Sequence, residues 1–161
     1  MLVGHGAVPK DCPRELVTRL KALEGQRRAT GRPPSAEESE IEARLRRWPR
    51  TAQTDPYRAG LEALAERVRP LLPGARLTVA YNEFCAPTVM EAAESLIADG
   101  TREIVVVPSM LTPGGVHSEL EIPEALDRLR QRNPGTEIRY AWPFDLGLIA
   151  GMLAEHLQRF P

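Results

Sequence analysis

The sequence predicts an α/β fold, a doubly wound sheet of about four parallel strands with helices on both faces. Residues 77–82 (LTVAYN) and 103–108 (EIVVVP) are apolar without alternation, which is typical of strands buried on both faces of a parallel sheet. Residues 1–5 and 137–142 are two further strand-like segments. Stretches with helical spacing separate all of them, as the right-handed crossovers between parallel strands require.

Apolar residues three or four positions apart predict the first two helices. The first carries Leu16, Leu20 and Leu23, and the second carries Leu61, Leu64, Val68 and Leu71. Asp55 is the expected N-cap of the second helix and Pro56 its first residue. Pro73 and Gly74 are expected to end that helix.

Three more helices are predicted along the second half of the chain. Their apolar positions are Val89, Ala93, Leu96 and Ile97, then Ile122, Leu126 and Leu129, then Leu148, Ile149, Met152 and Leu153. Pro87 is expected to open the first of these helices, and Gly100 to end it because glycine tolerates positive φ. Residues 133–135 (Asn-Pro-Gly) end the second, and Asp145 caps the last.

Residues 25–54 do not fit this alternation and are predicted to be a helical insertion within a single domain of residues 1–161. Ser35 and Glu38 have the spacing of a capping box. A narrow apolar stripe follows on an otherwise charged helix, formed by Ile41, Leu45 and Trp48. One interpretation is a surface helix packed on its own domain. The other is a lid or a subunit contact, which Trp48 and Arg50 would suit.

Charge, hydropathy and cysteine content exclude several classes of protein. The net charge is −1 and Arg and Glu are intermixed, so we expect no nucleic-acid partner, which would need a basic face. No apolar run approaches the roughly 20 residues of a membrane span, and no charged leader precedes the first strand. We therefore expect a soluble, cytoplasmic protein in which Cys12 and Cys85 are free thiols.

Polar side chains follow three of the predicted strands. His5 lies between two glycines after the first, Glu83 follows the second, and His117 follows the third after a Pro-Gly-Gly turn. Ligands of parallel sheets bind beyond the carboxyl ends of strands, so we expect these side chains at one edge. Two imidazoles and a carboxylate suit divalent cobalt, nickel, iron or zinc, and they also accept protons near neutral pH. Metal handling and base catalysis are both open.

Structural roles compete with these functional ones. His5 can simply fill a turn, His117 can be a polar residue at a helix start, and Glu83 can pair with a surface arginine. His156 lies inside the last predicted helix and is interpreted as a partly buried helix residue. Cys85 has no adjacent base, so no nucleophilic role is predicted for it.

Five segments carry a resemblance to a known family: 2–6 (LVGHG), 82–87 (NEFCAP), 105–108 (VVVP), 113–117 (PGGVH) and 121–123 (EIP). In this order they resemble the short, CbiX-type sirohydrochlorin chelatases, whereas residues 11–54 are largely unmatched. The resemblance implies a chelatase-like fold, a homodimer, and insertion of a divalent metal into sirohydrochlorin or a related tetrapyrrole. Cobalt is the first expectation and nickel or iron the alternatives, with no organic cofactor.

The resemblance also implies roles for single residues. His5 and His117 match the family's two active-site histidines, which would hold the metal ion or accept pyrrole protons. Glu83 matches an acidic position and would offset charge and assist deprotonation. Glu121 stands where the family more often has Asp. The turn at residues 114–115 (Gly-Gly) would let the backbone approach the flat macrocycle.

Departures from the family pattern keep a second function open. Ala7 stands where the family commonly has Ser or Thr, and residues 143–145 replace its usual His-Pro. The alternative is a non-catalytic tetrapyrrole- or metal-binding protein on the same fold. A phosphohistidine enzyme would need an arginine beside His5, and a nucleotide site would need a glycine-rich motif after a strand. The sequence has neither feature.

Overall fold

A four-stranded parallel sheet forms the centre of the computed structural model, which describes residues 1–160. The strands are β1 (Leu2–Gly4), β2 (Val79–Tyr81), β3 (Glu103–Pro108) and β4 (Glu137–Tyr140). Their order in the sheet is β2-β1-β3-β4, so β1 and β3 are the inner strands. The predicted α/β class with four parallel strands is confirmed.

Six α-helices accompany the strands: α1 (Arg14–Thr30), α2 (Ala36–Arg46), α3 (Pro56–Val68), α4 (Val89–Ala98), α5 (Ile122–Arg132) and α6 (Leu146–Leu157). The expected caps of α3 and α6 are formed, because the Asp55 and Asp145 carboxylates accept backbone N–H bonds there. The predicted start of α4 at Pro87 is wrong, since Thr88 caps a helix that begins at Val89. α3 also ends before Pro73, in a 3₁₀ turn over Arg69–Leu71.

Helices cover the two faces of the sheet unequally. α4 and α5 pack on one face around Val3, Val106 and Leu126. α3 packs on the other through Leu61 and Ala65, so the predicted stripe residue Leu64 turns outward. Successive strand residues point to opposite faces, and Val105, facing away from α4 and α5, is 41% exposed. The face opposite α4 and α5 is therefore open at β3.

The boundaries of the predicted insertion, 25–54, need correction. α1 continues through Gly25 to Thr30, because the roughly 1 kcal/mol cost of one helical glycine is offset by strong helix formers on both sides. α2 packs on α1 through a buried cluster of Cys12, Leu20 and Leu45, with Trp48 against it. α1 and α2 thus form a helical hairpin, and its role as a surface element, a lid or a subunit contact stays a prediction.

α6 differs most from its prediction as a core helix. None of its residues is buried, and Leu148, Met152 and Leu157 are between 50 and 76% exposed. His156, interpreted as partly buried, is exposed as well. The apolar pattern of α6 was identified correctly, but the chain itself offers no surface that covers it. No helix among residues 1–160 is long and apolar enough to cross a membrane.

Candidate metal-binding site

The carboxyl edge of the sheet brings three sequence-predicted side chains together. His5 follows β1, Glu83 follows β2, and His117 begins a π-helical turn (His117–Glu121) after β3. Their ligating atoms all lie within 4.8 Å of one another, and all three residues are partly buried. The two imidazole rings meet edge to face, with centroids 4.4 Å apart. We call these three residues the histidine–carboxylate cluster.

The glycines around His5 make this approach sterically feasible. The β2 strand end runs beside the His5 loop, where Asn82 N–H donates to Gly4 O (2.9 Å) and Glu83 N–H donates to His5 O (2.8 Å). A Cβ at position 6 would lie 1.9 Å from Glu83 O, and Gly6 has φ +93°. Only glycine fits this position, because a side chain would push the Glu83 loop away from His5.

A hydrogen bond to Gly6 O fixes the orientation of the His5 ring within the cluster. Its Nδ1 lies 2.8 Å from Gly6 O, and because a carbonyl only accepts, we assign the ring proton to Nδ1. This leaves the lone pair on Nε2 free for a metal ion or a proton. The Tyr57 hydroxyl accepts the His5 backbone N–H at 2.7 Å, a contact that no sequence pattern had indicated.

His117 is oriented by a carboxylate, Glu121, one helical turn further along. Its Nδ1 lies 2.7 Å from Glu121 Oε2, and the Asn82 amide donates to the same oxygen at 2.6 Å. The Asn82 nitrogen is also 2.8 Å from His117 Nδ1. We assign the proton to His117 Nδ1, because a carboxylate accepts from both groups whereas an amide nitrogen does not accept. Nε2 of His117 then also carries a free lone pair.

The ionised form of Glu121 is favoured in the folded protein. Burial alone would raise its pKa, but hydrogen bonds from His117 and Asn82, with a smaller contribution from Arg28, lower the pKa below its usual value. A lowered folded-state pKa means that the stabilisation is present above the ordinary pKa of glutamate, about 4.3. It is lost only as the pH falls through the lowered value. Glu121 is therefore a carboxylate at neutral pH.

We expect Glu121→Gln to weaken Co²⁺ binding at the histidine–carboxylate cluster about 10- to 100-fold, because an amide holds the His117 ring less firmly. Isothermal titration of the wild type and the variant measures the change. Glu119→Gln is the matched control, since Glu119 lies in the same turn but bonds the Gly114 N–H at 2.6 Å. Equal Co²⁺ affinity in Glu121→Gln and the wild type would show that Glu121 does not orient His117.

The Glu83 carboxylate lies near the side chain of a lysine from α1. Lys21 Nζ of α1 lies 3.9 Å from a Glu83 carboxylate oxygen and 4.8 Å from the centroid of the Phe84 ring. The Lys21 side chain is 46% exposed, so this long ion pair is a weak one. An incoming divalent ion, with twice the charge and direct coordination, would displace Lys21 from the carboxylate.

A buried arginine holds the loops behind the cluster. Arg50 donates to Ala7 O (2.8 Å), to Leu45 O (3.1 Å) and to Phe84 O, and it pairs with Asp55. The two charged side chains are 2% and 1% exposed. Phe84 adopts φ 54°, a left-handed conformation that needs such external support. The suggestion that Arg50 serves a subunit interface is therefore wrong, because the residue lies inside the chain.

Other residues considered from the sequence stay outside the cluster. Both thiols, Cys12 and Cys85, are free and buried, and burial raises the pKa of each, which disfavours the nucleophilic thiolate. A Cβ at position 114 or 115 would meet nothing within 4 Å, so this turn is open on its outer side. Asn82 and Tyr57 were missed as site residues, since their contacts depend on segments distant in sequence.

Comparison with sequence models of protein families identifies the family of this chain. The sequence model of the CbiX family matches residues 52–159. The chain belongs to the CbiX family. α1, α2 and His5 precede the matched range, whereas Glu83, His117 and Glu121 fall within it.

Two curated relatives are named as sirohydrochlorin cobaltochelatases. The Priestia megaterium protein is 36% identical over 63 residues, which are 39% of this chain and 20% of the relative. The Methanopyrus kandleri protein is 39% identical over 72 residues, which are 44% of this chain and 50% of the relative. A sirohydrochlorin ferrochelatase of P. megaterium is 30% identical over 82 residues, 51% of this chain and 30% of the relative. The chain thus matches only a fifth to a half of each relative.

A solved structure of similar fold is about twice as long as this chain. SirB from Bacillus subtilis with Fe³⁺ superposes with a TM-score of 0.56 at 20% identity, covering 99% of this chain and 46% of SirB. A SirB structure in complex with cobalt, from B. subtilis subspecies spizizenii, gives a TM-score of 0.51 and covers 88% of this chain. These likenesses show that the fold of the chain is that of the chelatase structures.

Proposed function

We propose that this protein inserts a divalent metal ion into sirohydrochlorin or a related tetrapyrrole, without a nucleotide or organic cofactor. Cobalt is the expected ion, with nickel or iron as alternatives. The observation that carries the proposal is the convergence of His5, Glu83 and His117 within 4.8 Å at the carboxyl edge of the sheet. Membership in the CbiX family and relatives named as chelatases of this substrate support it. The cytoplasmic location stays a prediction.

The spacing of the histidine–carboxylate cluster suits a shared metal ion. Bonds of about 2.1 Å place ligands around one ion roughly 3 to 4 Å apart. The ligating atoms of His5, Glu83 and His117 all lie within 4.8 Å of one another, so small side-chain movements would bring all three to one ion. Three protein ligands leave a coordination position open, through which the ion could pass to the nitrogens of the macrocycle.

The same side chains supply the bases that metallation needs. As the divalent ion enters, two pyrrole N–H bonds break and their protons leave, so the product carries no added charge. Nε2 of His5 and Nε2 of His117 are free to hold the ion or to accept these protons. Glu83, 20% exposed, offsets the charge of the arriving ion and relays a proton to solvent.

A spectroscopic metallation assay tests the proposal. The wild type is mixed with sirohydrochlorin and Co²⁺, Ni²⁺ or Fe²⁺, and the change in the absorption spectrum is followed against an enzyme-free control. Acceleration by the protein supports a chelatase, and the ion with the highest kcat/KM identifies the metal. Tetrapyrrole binding without acceleration would instead support the alternative, a non-catalytic carrier, and no binding at all would contradict both.

We also propose that two copies of the chain form a homodimer through α6. Leu148, Met152 and Leu157 of α6 are exposed, and burying such side chains contributes about 25 cal/mol per Å². A second copy is the expected occupant, because SirB contains about twice the length of this chain in one polypeptide. The pair would then match the size of the longer structure.

Placing a charge on the α6 surface should separate the two copies. We expect Leu148→Glu with Met152→Glu to give a monomer where the wild type is a dimer, because charged side chains resist burial in an apolar interface. Light scattering after size exclusion measures the mass. The control is Leu64→Glu on α3, which replaces a leucine that is 47% exposed on another helix. A wild type that is already monomeric at micromolar concentration would contradict the dimer.

A further inference from the structure

A cleft next to the histidine–carboxylate cluster is formed largely by the inserted hairpin. It has a volume of about 570 Å³ and lies between α1 and α2 on one side and the starts of α4 and α5 on the other. Asn82, Glu83 and Glu121 are among its lining residues, so the cleft adjoins the cluster. This volume falls within the usual range of small-molecule sites.

Five arginines line this cleft, and two of them are already neutralised. Arg27 pairs with Glu38 at 2.7 Å, and Arg46 pairs with Glu42 at 2.6 Å. Across residues 1–160, the other three have no carboxylate within 4.0 Å. These are Arg28 on α1, Arg47 at the end of α2 and Arg128 on α5. All three are exposed, so their guanidinium groups are available to a ligand.

None of the carboxylates that line the cleft forms an ion pair with these three arginines, and most of them are bonded to other groups. Glu24 bonds Lys21 at 2.9 Å, and Glu91 accepts the Thr88 N–H at 2.8 Å in the capping box of α4. Glu121 holds His117, and in the part of the chain that the structure describes Glu124 is the lining carboxylate that has no partner of its own. The N-terminus of α4 opens into the same cleft and adds a positive end of a helix dipole.

We infer that Arg28, Arg47 and Arg128 bind peripheral carboxylates of the tetrapyrrole while its ring faces the histidine–carboxylate cluster. The inference rests on the proposed function, which supplies an anionic, carboxylate-bearing macrocycle as the ligand. A guanidinium group donates two parallel N–H bonds to a carboxylate, which fixes orientation as well as charge. Glu83 belongs both to the cleft lining and to the cluster, so the ring of a macrocycle whose substituents are held in the cleft can extend over the cluster.

This assignment gives the insertion a specific task. Arg28 and Arg47 come from the hairpin that precedes the matched range of residues 52–159, whereas Arg128 lies within it. The hairpin is held against the Glu83 loop by Arg46, whose guanidinium lies 3.5 Å from Asn82 O and from Cys85 O. It therefore extends the substrate-binding surface rather than forming a separate unit.

Binding of two porphyrins that differ in their carboxylates tests the inference. Uroporphyrin carries acetate and propionate on every pyrrole ring, and coproporphyrin carries methyl groups in place of the acetates. The wild type should bind uroporphyrin more tightly in fluorescence titrations. The triple variant Arg28→Gln, Arg47→Gln, Arg128→Gln should bind uroporphyrin about tenfold more weakly, with a smaller preference and a smaller salt dependence. In metallation its KM should rise while kcat stays within about twofold.

A second triple variant is the control for the loss of charge. Arg32→Gln, Arg67→Gln, Arg102→Gln removes three exposed arginines that neither line the cleft nor form an ion pair among the described residues. It should bind both porphyrins like the wild type. Equal weakening in the two triples, or unchanged uroporphyrin binding in the cleft triple, would overturn the inference even if the wild type metallates sirohydrochlorin. Cleft-dependent binding without metallation would instead retain the inference and reject the proposed function.

Discussion

Replacement of His117 by alanine should lower the rate of metallation by about 10²- to 10⁴-fold, the usual contribution of a positioned acid–base group. Its Nε2 is the free nitrogen of a ring whose Nδ1 is held at 2.7 Å by Glu121, so the variant loses a base that is oriented before the substrate arrives. His5→Ala should have a similar effect, since its ring lies 4.4 Å from that of His117.

The two substitutions should not be additive if the rings act on one ion. A double variant is expected to be about as slow as the slower single variant, as found for groups that work as a unit. Glu119→Gln is the control, because Glu119 lies in the same π-helical turn as His117 but is not part of the cluster. Stopped-flow absorbance with Co²⁺ gives the rates. A His117→Ala variant within threefold of the wild type would reject a direct role for this residue.

Part of this site was predictable because parallel strands end at a common edge. The apolar segments 77–82 and 103–108 indicated buried parallel strands, and residues directly after parallel strands lie at the same edge of the sheet. His5, Glu83 and His117 therefore converge in the structure as their positions suggested. The carboxylate that orients His117 was noticed as a family position, but its hydrogen bond with Asn82 joins segments 39 residues apart.

The features that escaped prediction depend on what a side chain packs against. The apolar pattern of α6 shows that one face is suited to burial, but a pattern cannot say whether the covering surface belongs to the same chain. Gly25 was taken as the start of the insertion, although a single glycine costs a helix only about 1 kcal/mol. Arg50 was interpreted as an interface residue, and its buried structural role carried no sequence signal, since its partners are mainly backbone carbonyls of three separate segments.

Asp55→Ala should lower the free energy of unfolding by about 3–5 kcal/mol, because it leaves the Arg50 guanidinium buried without a counter-charge. For a chain of this length, such a loss corresponds to a fall in Tm on the order of 10 °C. Asp55 also caps α3 by accepting the Arg58 N–H at 2.9 Å, and the loss of a cap costs about 1 kcal/mol. Thermal and urea unfolding followed by circular dichroism measure the total.

Asp55→Asn separates the ion pair from the cap. Asparagine caps helices as well as aspartate does, so any loss of stability that Asn shares with Ala arises from the uncompensated charge of Arg50. The control is Glu62→Ala, which breaks the exposed pair with Arg58 at 2.7 Å and should cost less than about 1 kcal/mol.

Arg50 also bonds the carbonyl of Ala7 in the loop that follows His5 and the carbonyl of Phe84, the residue after Glu83. Asp55→Asn should therefore weaken Co²⁺ binding as well as folding, whereas an Asn variant as stable as Glu62→Ala would show that the buried pair does not hold the site together.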